Sequence, residues 1–194
     1  MTYICDQRDL EVAFADDDRQ VTPDRGEATA SRDTAASPGH LAASRKLEDR
    51  LSFICDLWHA KRGAKPLPSR GDLDPAEFHR LWPVTFLLEK DENSGEWYVR
   101  FAGAAYGSVY GREITGDRVQ DIVPENLAPQ VLADLRQCEE AREPIVIENE
   151  TNWPDRGNVY RYQRVLLPFG RENGEVTHLL GVAAFYNSAG ATVF

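Results

Sequence analysis

The chain has 194 residues, of which 42% are hydrophobic and 10% aromatic, which is enough for one globular domain with a core and an appendage. Its formal net charge is −10, and the acids are densest in the first quarter of the sequence. A chain without a basic face is not expected to bind nucleic acid through phosphate neutralisation.

The cysteines and histidines further limit which class of protein the chain can belong to. The three cysteines, Cys5, Cys55 and Cys138, are widely spaced and odd in number, which argues against a disulfide framework and fits a reducing cytoplasm. The four histidines are scattered and no CxxC pair occurs, so no metal site is predicted. No signal peptide is predicted, since the first residues lack a basic start and a long apolar core, and no apolar run comes near the ~18 residues that a membrane span needs. We expect a cytoplasmic protein with no membrane contact.

Residues 1–43 are predicted to form an acidic, largely disordered arm. They hold nine acids and four arginines, and large apolar residues are rare from Ala15 to Ala43. Such a segment buries too little surface to offset its ordering entropy. The β-like pair Tyr3 and Ile4 leaves a short docked strand as an alternative. Residues 44–190 are expected to hold the folded domain.

The segment from Ser44 to Lys61 is predicted to be a helix that ends at Gly63. Four large apolar residues form one stripe with helical spacing: Leu47, Leu51, Ile54 and Trp58. The stripe fits two uses, covering the domain's own sheet or packing against a second copy of the chain. Core packing is the better-supported of the two.

A predicted β-hairpin follows an extended connector and a short helix. Asp74 is a good N-cap and Pro75 suits the first helical position, so residues 75–81 are predicted to be helical and to stop at Trp82. Strands are expected over 84–89 and 96–101, joined by turn residues.

The next segment is rich in glycine, with Gly103, Gly107 and Gly111 spaced four apart. No GK[ST] sequence follows, so close packing and tight turns are better explanations than a phosphate loop. Tyr106 and Tyr110 should share one face of a short helix.

A longer helix is predicted from about residue 125 or 129 to 142, with a buried side formed by Leu127, Val131, Leu132, Leu135 and Cys138. Asp134 falls on the side expected to face water. Strands are predicted over 145–151, 159–168 and 176–186, the last two joined at Asn173–Gly174. The resulting fold is an α+β domain with a five-stranded antiparallel sheet, helices inserted between strands 2 and 3, and an N-terminal helix.

Several short motifs occur in a characteristic order along the chain: Leu57-Trp58, residues 66–70, Asp74-Pro75, residues 100–103, residues 110–112, residues 114–116, residues 166–169 and residues 180–182. The order of the elements resembles a PAS domain, and these motifs resemble one type in particular, the stand-alone bacterial PAS_5 type that is abundant in alphaproteobacteria. The resemblance covers about residues 47–187.

The resemblance implies a non-enzymatic, cytoplasmic module of bacterial signal transduction. PAS domains hold ligands between the sheet and the long helix, and they signal through flanking segments, a signalling partner protein or dimer contacts. A homodimer is therefore expected, with the interface on Leu47, Leu51, Ile54 and Trp58. The identity of a ligand does not carry over.

No cofactor is predicted. The flavin-binding photosensor type of PAS domain carries a reactive cysteine just before the long helix, where this chain has residues 116–122 without one. Haem-binding members commonly use a histidine on that helix, and residues 125–142 contain none. His178 and Cys138 are better explained as structural residues. No nucleophile, base and acid set is evident, so an enzyme is the weakest of the hypotheses.

The predicted ligand site is mostly apolar, and such a wall suits a pocket or a filled core equally well. The candidate ligand-binding residues are Phe86, Leu88, Arg100, Phe101, Tyr106, Tyr110, Leu132, Leu135, Leu166, Leu180 and Val182. Arg100 has two interpretations: an exposed or salt-bridged residue, or a guanidinium that binds an anion. Arg161 and Arg164 raise the same question.

Two function hypotheses remain open. The first is a small-molecule sensor with its ligand under the long helix. The second is a ligand-free adaptor for protein interaction that uses the 44–61 helix and a sheet face.

Overall fold

A six-stranded antiparallel sheet organises the chain. The computed structural model describes residues 2–5, 47–150 and 161–194. The strands are β1 (Thr2–Ile4), β2 (Thr85–Lys90), β3 (Trp97–Ala102), β4 (Ile145–Glu150), β5 (Arg161–Gly170) and β6 (Val176–Tyr186). Their order across the sheet is β1-β4-β5-β6-β2-β3. The α+β class and the position of the inserted helices agree with the prediction.

The predicted number of strands was too low by one. Residues Thr2–Ile4 add an edge strand to β4, with Tyr3 opposite Val146, and the Cys5 amide donates to the Pro144 carbonyl at 2.9 Å. Short strands of three residues carry little periodic signal, which is why the sequence favoured an arm. The rest of that arm (6–43), the first residues of the predicted N-terminal helix (44–46) and residues 151 and 159–160 of two predicted strands lie outside the described residues.

Helix α1 (Asp49–Arg62) covers one face of the sheet, called here the outer face. It begins after Glu48, whose side chain accepts a hydrogen bond from the Arg50 amide at 2.9 Å, and it ends at Gly63 with a φ of +52°, as predicted. Contacts run from α1 to β5 and β6.

The apolar stripe of α1 belongs to the core of its own domain. Leu51, Ile54 and Trp58 are completely buried, and Leu47 packs against the same core. The Trp58 indole nitrogen also donates to the Pro168 carbonyl at 2.7 Å. These side chains therefore cannot form the expected interface with a second copy, because the sheet already occupies the stripe.

Two 3₁₀ helices (Arg70–Asp72 and Pro75–Val84) follow α1 on the outer face. Asp74 caps the second one as predicted, since its Oδ1 accepts from the Ala76 amide at 2.9 Å. This helix runs past Trp82 and Pro83 to the start of β2, three residues further than predicted.

Three helices cover the opposite, inner face: α2 (Ala104–Tyr110), α3 (Val119–Ile122) and α4 (Ala128–Ala141). Asp134 on α4, predicted to face water, is only 1% exposed. Its Oδ1 accepts from the Thr2 hydroxyl at 3.1 Å and from Gln130 Nε2 at 3.0 Å. The unexpected strand β1 thus supplies one of the two hydrogen bonds to this buried carboxylate.

Two of the three spaced glycines have the structural uses predicted for them. A side chain at Gly103 would place Cβ 1.9 Å from the Trp82 carbonyl oxygen, and Gly111 ends α2 with a φ of +69°. Gly107 has no atom within 4 Å of its Cβ position, so its spacing has no packing role. No helix in the described ranges is long and apolar enough to cross a membrane.

Candidate functional site

A cavity of about 180 Å³ lies between the inner face of the sheet and helices α2 to α4. Most of its wall is apolar, with a few polar groups among aliphatic and aromatic side chains, as is common for sites that bind small organic molecules. The lining residues are Phe86, Leu88, Val99, Tyr106, Val109, Tyr110, Ile114, Val119, Ile122, Val123, Pro124, Leu127, Gln130, Val131, Leu135, Asn149, Glu150, Tyr162, Arg164, Ala183 and Phe185.

Strand alternation determines which sheet residues reach the cavity. Along β5, Tyr162 and Arg164 point to the inner face, whereas Gln163 and Val165 point to the side of α1. On β6 the inward residue that pairs with Phe86 is Gly181. A Cβ at Gly181 would lie 2.1 Å from Cζ of the Phe86 ring, so the missing side chain lets the ring lie over β6.

Aromatic rings build one end of the cavity. Tyr106 of α2 makes an edge-on contact with Phe86, with centroids 5.3 Å apart at 88°. It makes a second one with Phe185, at 5.6 Å and 76°. Such T-shaped pairs hold the rings in fixed positions. The Tyr106 hydroxyl is thereby carried into the interior.

Arg164 is the cationic side chain on the described wall of the cavity. Its guanidinium carbon lies 5.6 Å from the centroid of Phe86 and 5.3 Å from that of Tyr162. Nε and Nη2 are shielded from solvent, and neither has a hydrogen-bond partner among the residues that the structure describes. Because no described protein group satisfies these donors, they are available to a molecule bound in the cavity.

The charge state of this arginine follows from its surroundings. Burial lowers the pKa of Arg164, but the phenol groups of Tyr162, Tyr106 and Tyr110 and the carboxylate of Asp134 raise it, and the net pKa stands above its ordinary value. The guanidinium therefore carries its full positive charge at neutral pH.

The Tyr106 hydroxyl is a second buried polar group without a partner in the described part of the chain. Burial is the main reason that the pKa of Tyr106 is raised well above its ordinary value, so the hydroxyl keeps its proton and can donate it. The neighbouring phenol of Tyr162 is already engaged, since it accepts from Asn149 Nδ2 at 3.1 Å.

The structure places five of the predicted ligand residues on the cavity wall: Phe86, Leu88, Tyr106, Tyr110 and Leu135. The other six do not line it. Leu132 lies about 100° around α4 from the wall residue Val131, and Leu166 packs with full burial further along β5. Leu180 and Val182 alternate with the inward residue Gly181, so they point to the outer face.

A β-bulge explains why Phe101 does not line the cavity, and Arg100 does not line it either. Leu87 pairs with Phe101 but Leu88 pairs with Val99, so Arg100 is an extra residue in β3. Both Arg100 and Phe101 consequently point outward. Arg100 is exposed and forms an ion pair with Glu89. This agrees with the first of its two interpretations, an exposed or salt-bridged residue.

Arg164 is the site residue that sequence reasoning undervalued. The signal was present, because Arg164 is two residues before Leu166, which was assigned to the inner face. Extending that alternation by one step puts the guanidinium inside. Arg161 lies on the opposite face, over the Tyr186 ring at 4.4 Å.

A second apolar depression of about 270 Å³ lies on the outer face and is here called the outer groove. Trp82 and Phe101 form its exposed part, at 45% and 39% exposure, with ring centroids 6.4 Å apart. Its other lining residues are Arg70, Leu73, Pro75, Phe78, Thr85, Leu87, Phe169 and Leu180. Among the described residues no cluster of histidine, cysteine and carboxylate side chains is suited to hold a metal ion.

The antiparallel sheet is covered on both faces, and the cavity lies under the helices of its inner face. The sequence matches the PAS_5 family model, described as a PAS domain, over residues 48–184, and the chain belongs to this family of sensory signalling modules. No curated protein sequence matches the chain.

Solved structures with a similar fold include several sensor domains. The PAS domain of BvgS from Bordetella pertussis is 16% identical, with 70% of this chain and 85% of that one aligned and a TM-score of 0.42. A light-oxygen-voltage protein from Rhodobacter sphaeroides is 18% identical over 61% and 71% of the two chains, with a TM-score of 0.39. The alignment with an RNA-binding light-oxygen-voltage receptor covers 61% of this chain and 35% of the receptor chain, at 17% identity and a TM-score of 0.40. This chain therefore spans about a third of the length of that receptor. The family match and the sheet topology carry the fold assignment.

Proposed function

We propose that the protein is a non-enzymatic PAS sensor that binds a small molecule in the cavity between the sheet and α4 and passes the signal to a partner protein or a second copy. One observation carries the proposal: the cavity is apolar over most of its wall, yet Arg164 and Tyr106 present donors to it that no described protein group accepts. A filled core would bury neither an empty volume nor unsatisfied donors.

The direct test is native mass spectrometry of the purified full chain, compared with its denatured mass. A noncovalent mass excess that disappears on denaturation supports the sensor. The variant Leu135→Trp places a larger side chain on the cavity wall and should abolish the excess. An excess that survives in Leu135→Trp would place the bound molecule elsewhere and overturn the proposal.

The alternative is a ligand-free adaptor that acts through self-association. The buried stripe of α1 cannot serve this role, so the sheet-face part of the hypothesis now rests on the outer groove. Its centre is the exposed pair Trp82 and Phe101, and the ion pair between Arg100 on β3 and Glu89 on β2 lies next to it. A patch with an apolar centre and both charge signs beside it suits a two-fold contact with a second copy.

Sedimentation of Trp82→Ser separates the two functions. If the groove is the dimer contact, the wild-type chain sediments as a dimer and the variant as a monomer, while any ligand-dependent mass excess is unchanged. A wild-type monomer at all accessible concentrations would remove the adaptor built on this groove. Trp58→Asp is unsuitable for this test, because Trp58 is completely buried and its loss would unfold the domain.

A further inference from the structure

The two unsatisfied nitrogens of Arg164 lie on the same edge of the guanidinium. Nε and Nη2 point their N–H bonds in parallel, and such an edge can bind a carboxylate through two parallel hydrogen bonds. The rings of Phe86 and Tyr162 hold the guanidinium in place. The donor edge is therefore preorganised, and its acceptors are missing among the described residues.

A third donor lies on the same aromatic cluster. Phe86 contacts both the guanidinium of Arg164 and the ring of Tyr106, whose hydroxyl is shielded and unsatisfied in the described part of the chain. Because burial keeps the Tyr106 hydroxyl protonated, it is a donor and suits an anionic oxygen.

The charge balance of the cavity favours a single negative charge. Arg164 is the one cationic side chain on the described wall, so it can compensate at most one negative charge. The wall carboxylate of Glu150 is exposed and screened by solvent, and Oδ1 of the nearby Asp134 already accepts hydrogen bonds from Thr2 and Gln130, so both acids disfavour any further negative charge. A dianion such as a phosphate monoester would leave one charge uncompensated, which is costly in a site of this polarity.

The volume and the wall of the cavity determine which apolar body the ligand can carry besides its anionic group. A dry, apolar cavity of about 150 Å³ accommodates a benzene ring. The cavity here measures about 180 Å³, which leaves room for a ring or a branched chain together with one small head group. Aliphatic and aromatic wall residues suit an apolar body rather than a sugar or a peptide.

We propose that the cavity binds a small monocarboxylate with an apolar body, held by Nε and Nη2 of Arg164 and by the hydroxyl of Tyr106. This inference rests on the proposed sensor function and specifies its ligand class. Neither group has a described acceptor of its own, so the carboxylate supplies what the fold leaves open.

The experiment is isothermal titration calorimetry of the full chain at pH 7 with benzoate, phenylacetate and isovalerate, and with benzamide as the neutral analogue of benzoate. At least one carboxylate should bind, and benzoate should bind at least tenfold tighter than benzamide. Arg164→Met should weaken carboxylate binding by about tenfold to a hundredfold, since charge-assisted hydrogen bonds are lost. Tyr106→Phe removes one hydroxyl and should cost about three- to tenfold.

Arg100→Met is the matched control, because it removes the same charge from the exposed outward side of β3. It should leave affinity within twofold of wild type. Arg164→Lys keeps the positive charge but loses the two parallel N–H donors of the guanidinium. Its affinity for the carboxylate should lie between those of wild type and Arg164→Met. Circular dichroism of each variant shows that it is folded.

The outcomes separate the two proposals. If benzamide binds as well as benzoate, Arg164→Met changes neither and Leu135→Trp abolishes both, the cavity is a ligand site and the carboxylate assignment is wrong. If no probe binds the wild-type chain and it also purifies without a mass excess, the sensor proposal fails together with the carboxylate. Equal losses in Arg164→Met and Arg100→Met would reduce the effect to net charge and overturn the assignment.

Discussion

The guanidinium of Arg164 and the ring of Phe86 meet over strand β6, 5.6 Å apart, although β5 and β2 do not touch. They can meet because β6 contributes its smallest residues there: Arg164 is paired with Ala183 and Phe86 with Gly181. Two small residues on a central strand thus leave the space that two large side chains from its neighbours partly fill. The cavity is what remains of that space under α4.

The first prediction concerns the cost of keeping Arg164 without a protein partner. Its two contacts with aromatic rings contribute about 0.5–1 kcal/mol each. Shielded, unsatisfied charged donors cost about 1–3 kcal/mol or more. The cost exceeds the gain, so Arg164→Met should raise the free energy of unfolding of the ligand-free protein by about 1 kcal/mol in urea denaturation.

Arg100→Met serves as the control for this measurement and should change stability by less than about 0.5 kcal/mol, because exposed ion pairs contribute little. A destabilised Arg164→Met variant would mean that the arginine holds the fold together, and its unsatisfied donors would lose their significance as a binding group.

The second prediction tests the space over β6. In Gly181→Ala the new Cβ would meet the Phe86 ring at 2.1 Å, and the ring would have to move into the cavity. We expect a loss of about 1–3 kcal/mol in stability, as for other overpacked cores. Any cavity ligand should bind more weakly. Gly107→Ala, in the middle of α2 with free space around it, should gain about 0.5–1 kcal/mol instead. Urea denaturation of both variants checks the contrast, and equal effects would contradict it.

Much of this architecture could be predicted from sequence because it depends on local signals. Caps such as Asp74, glycine ends such as Gly63, and the Asn173–Gly174 turn fixed the order and limits of most elements. The errors came from pairing. The bulge at Arg100 changes which residues of β3 face inward, and no local sequence pattern predicts a bulge.

The candidate site was harder to predict than the fold for the same reason. A wall residue is defined by its neighbours across the sheet, and Leu180 and Val182 were assigned to the wrong face by one step of alternation. One of the hydrogen bonds to buried Asp134 comes from strand β1, at the other end of the chain. Such long-range contacts leave no trace in local periodicity.

The third prediction concerns Trp58, which joins α1 to β5. Its Nε1 donates to the Pro168 carbonyl at 2.7 Å inside the core. Trp58→Phe keeps an aromatic ring but removes the donor, and it should destabilise the protein by about 1–2 kcal/mol. Trp82→Phe, at a residue that is 45% exposed, should cost less than about 0.5 kcal/mol. Urea denaturation measures both, and a similar loss in the two variants would show that the hydrogen bond contributes nothing.

The fourth prediction is that no thiol reacts quickly in the native protein. Cys5, Cys55 and Cys138 are at most 3% exposed, and none of them forms a disulfide. The hydrogen bond with Cys5, followed by burial, raises the pKa of Cys55 well above its ordinary value. Few thiolates form near neutral pH, and reagents attack the thiolate. Labelling with a disulfide reagent at pH 8 should wait for unfolding and then modify three thiols. Fast labelling of Cys5 in the native protein would show that strand β1 detaches.

The fifth prediction is a pH dependence of stability. Burial, with a smaller effect of Glu139, raises the pKa of Cys138 above its ordinary value of 9.0. In the unfolded chain this thiol loses its proton near pH 9, whereas the folded chain still holds it. Below pH 9 its contribution to stability is fully present, and above pH 9 that contribution is lost as the pH rises, because the unfolded state then binds fewer protons. The free energy of unfolding should therefore fall from about pH 9 upward, and Cys138→Ala should reduce the slope.

Urea denaturation at pH 7, 9 and 10 provides the measurement, with pH 7 as each variant's own baseline. Parallel pH profiles for wild type and Cys138→Ala would mean that this thiol is not shielded in solution, and that α4 packs more loosely on β5 than its contact with the Leu166 carbonyl at 3.5 Å indicates.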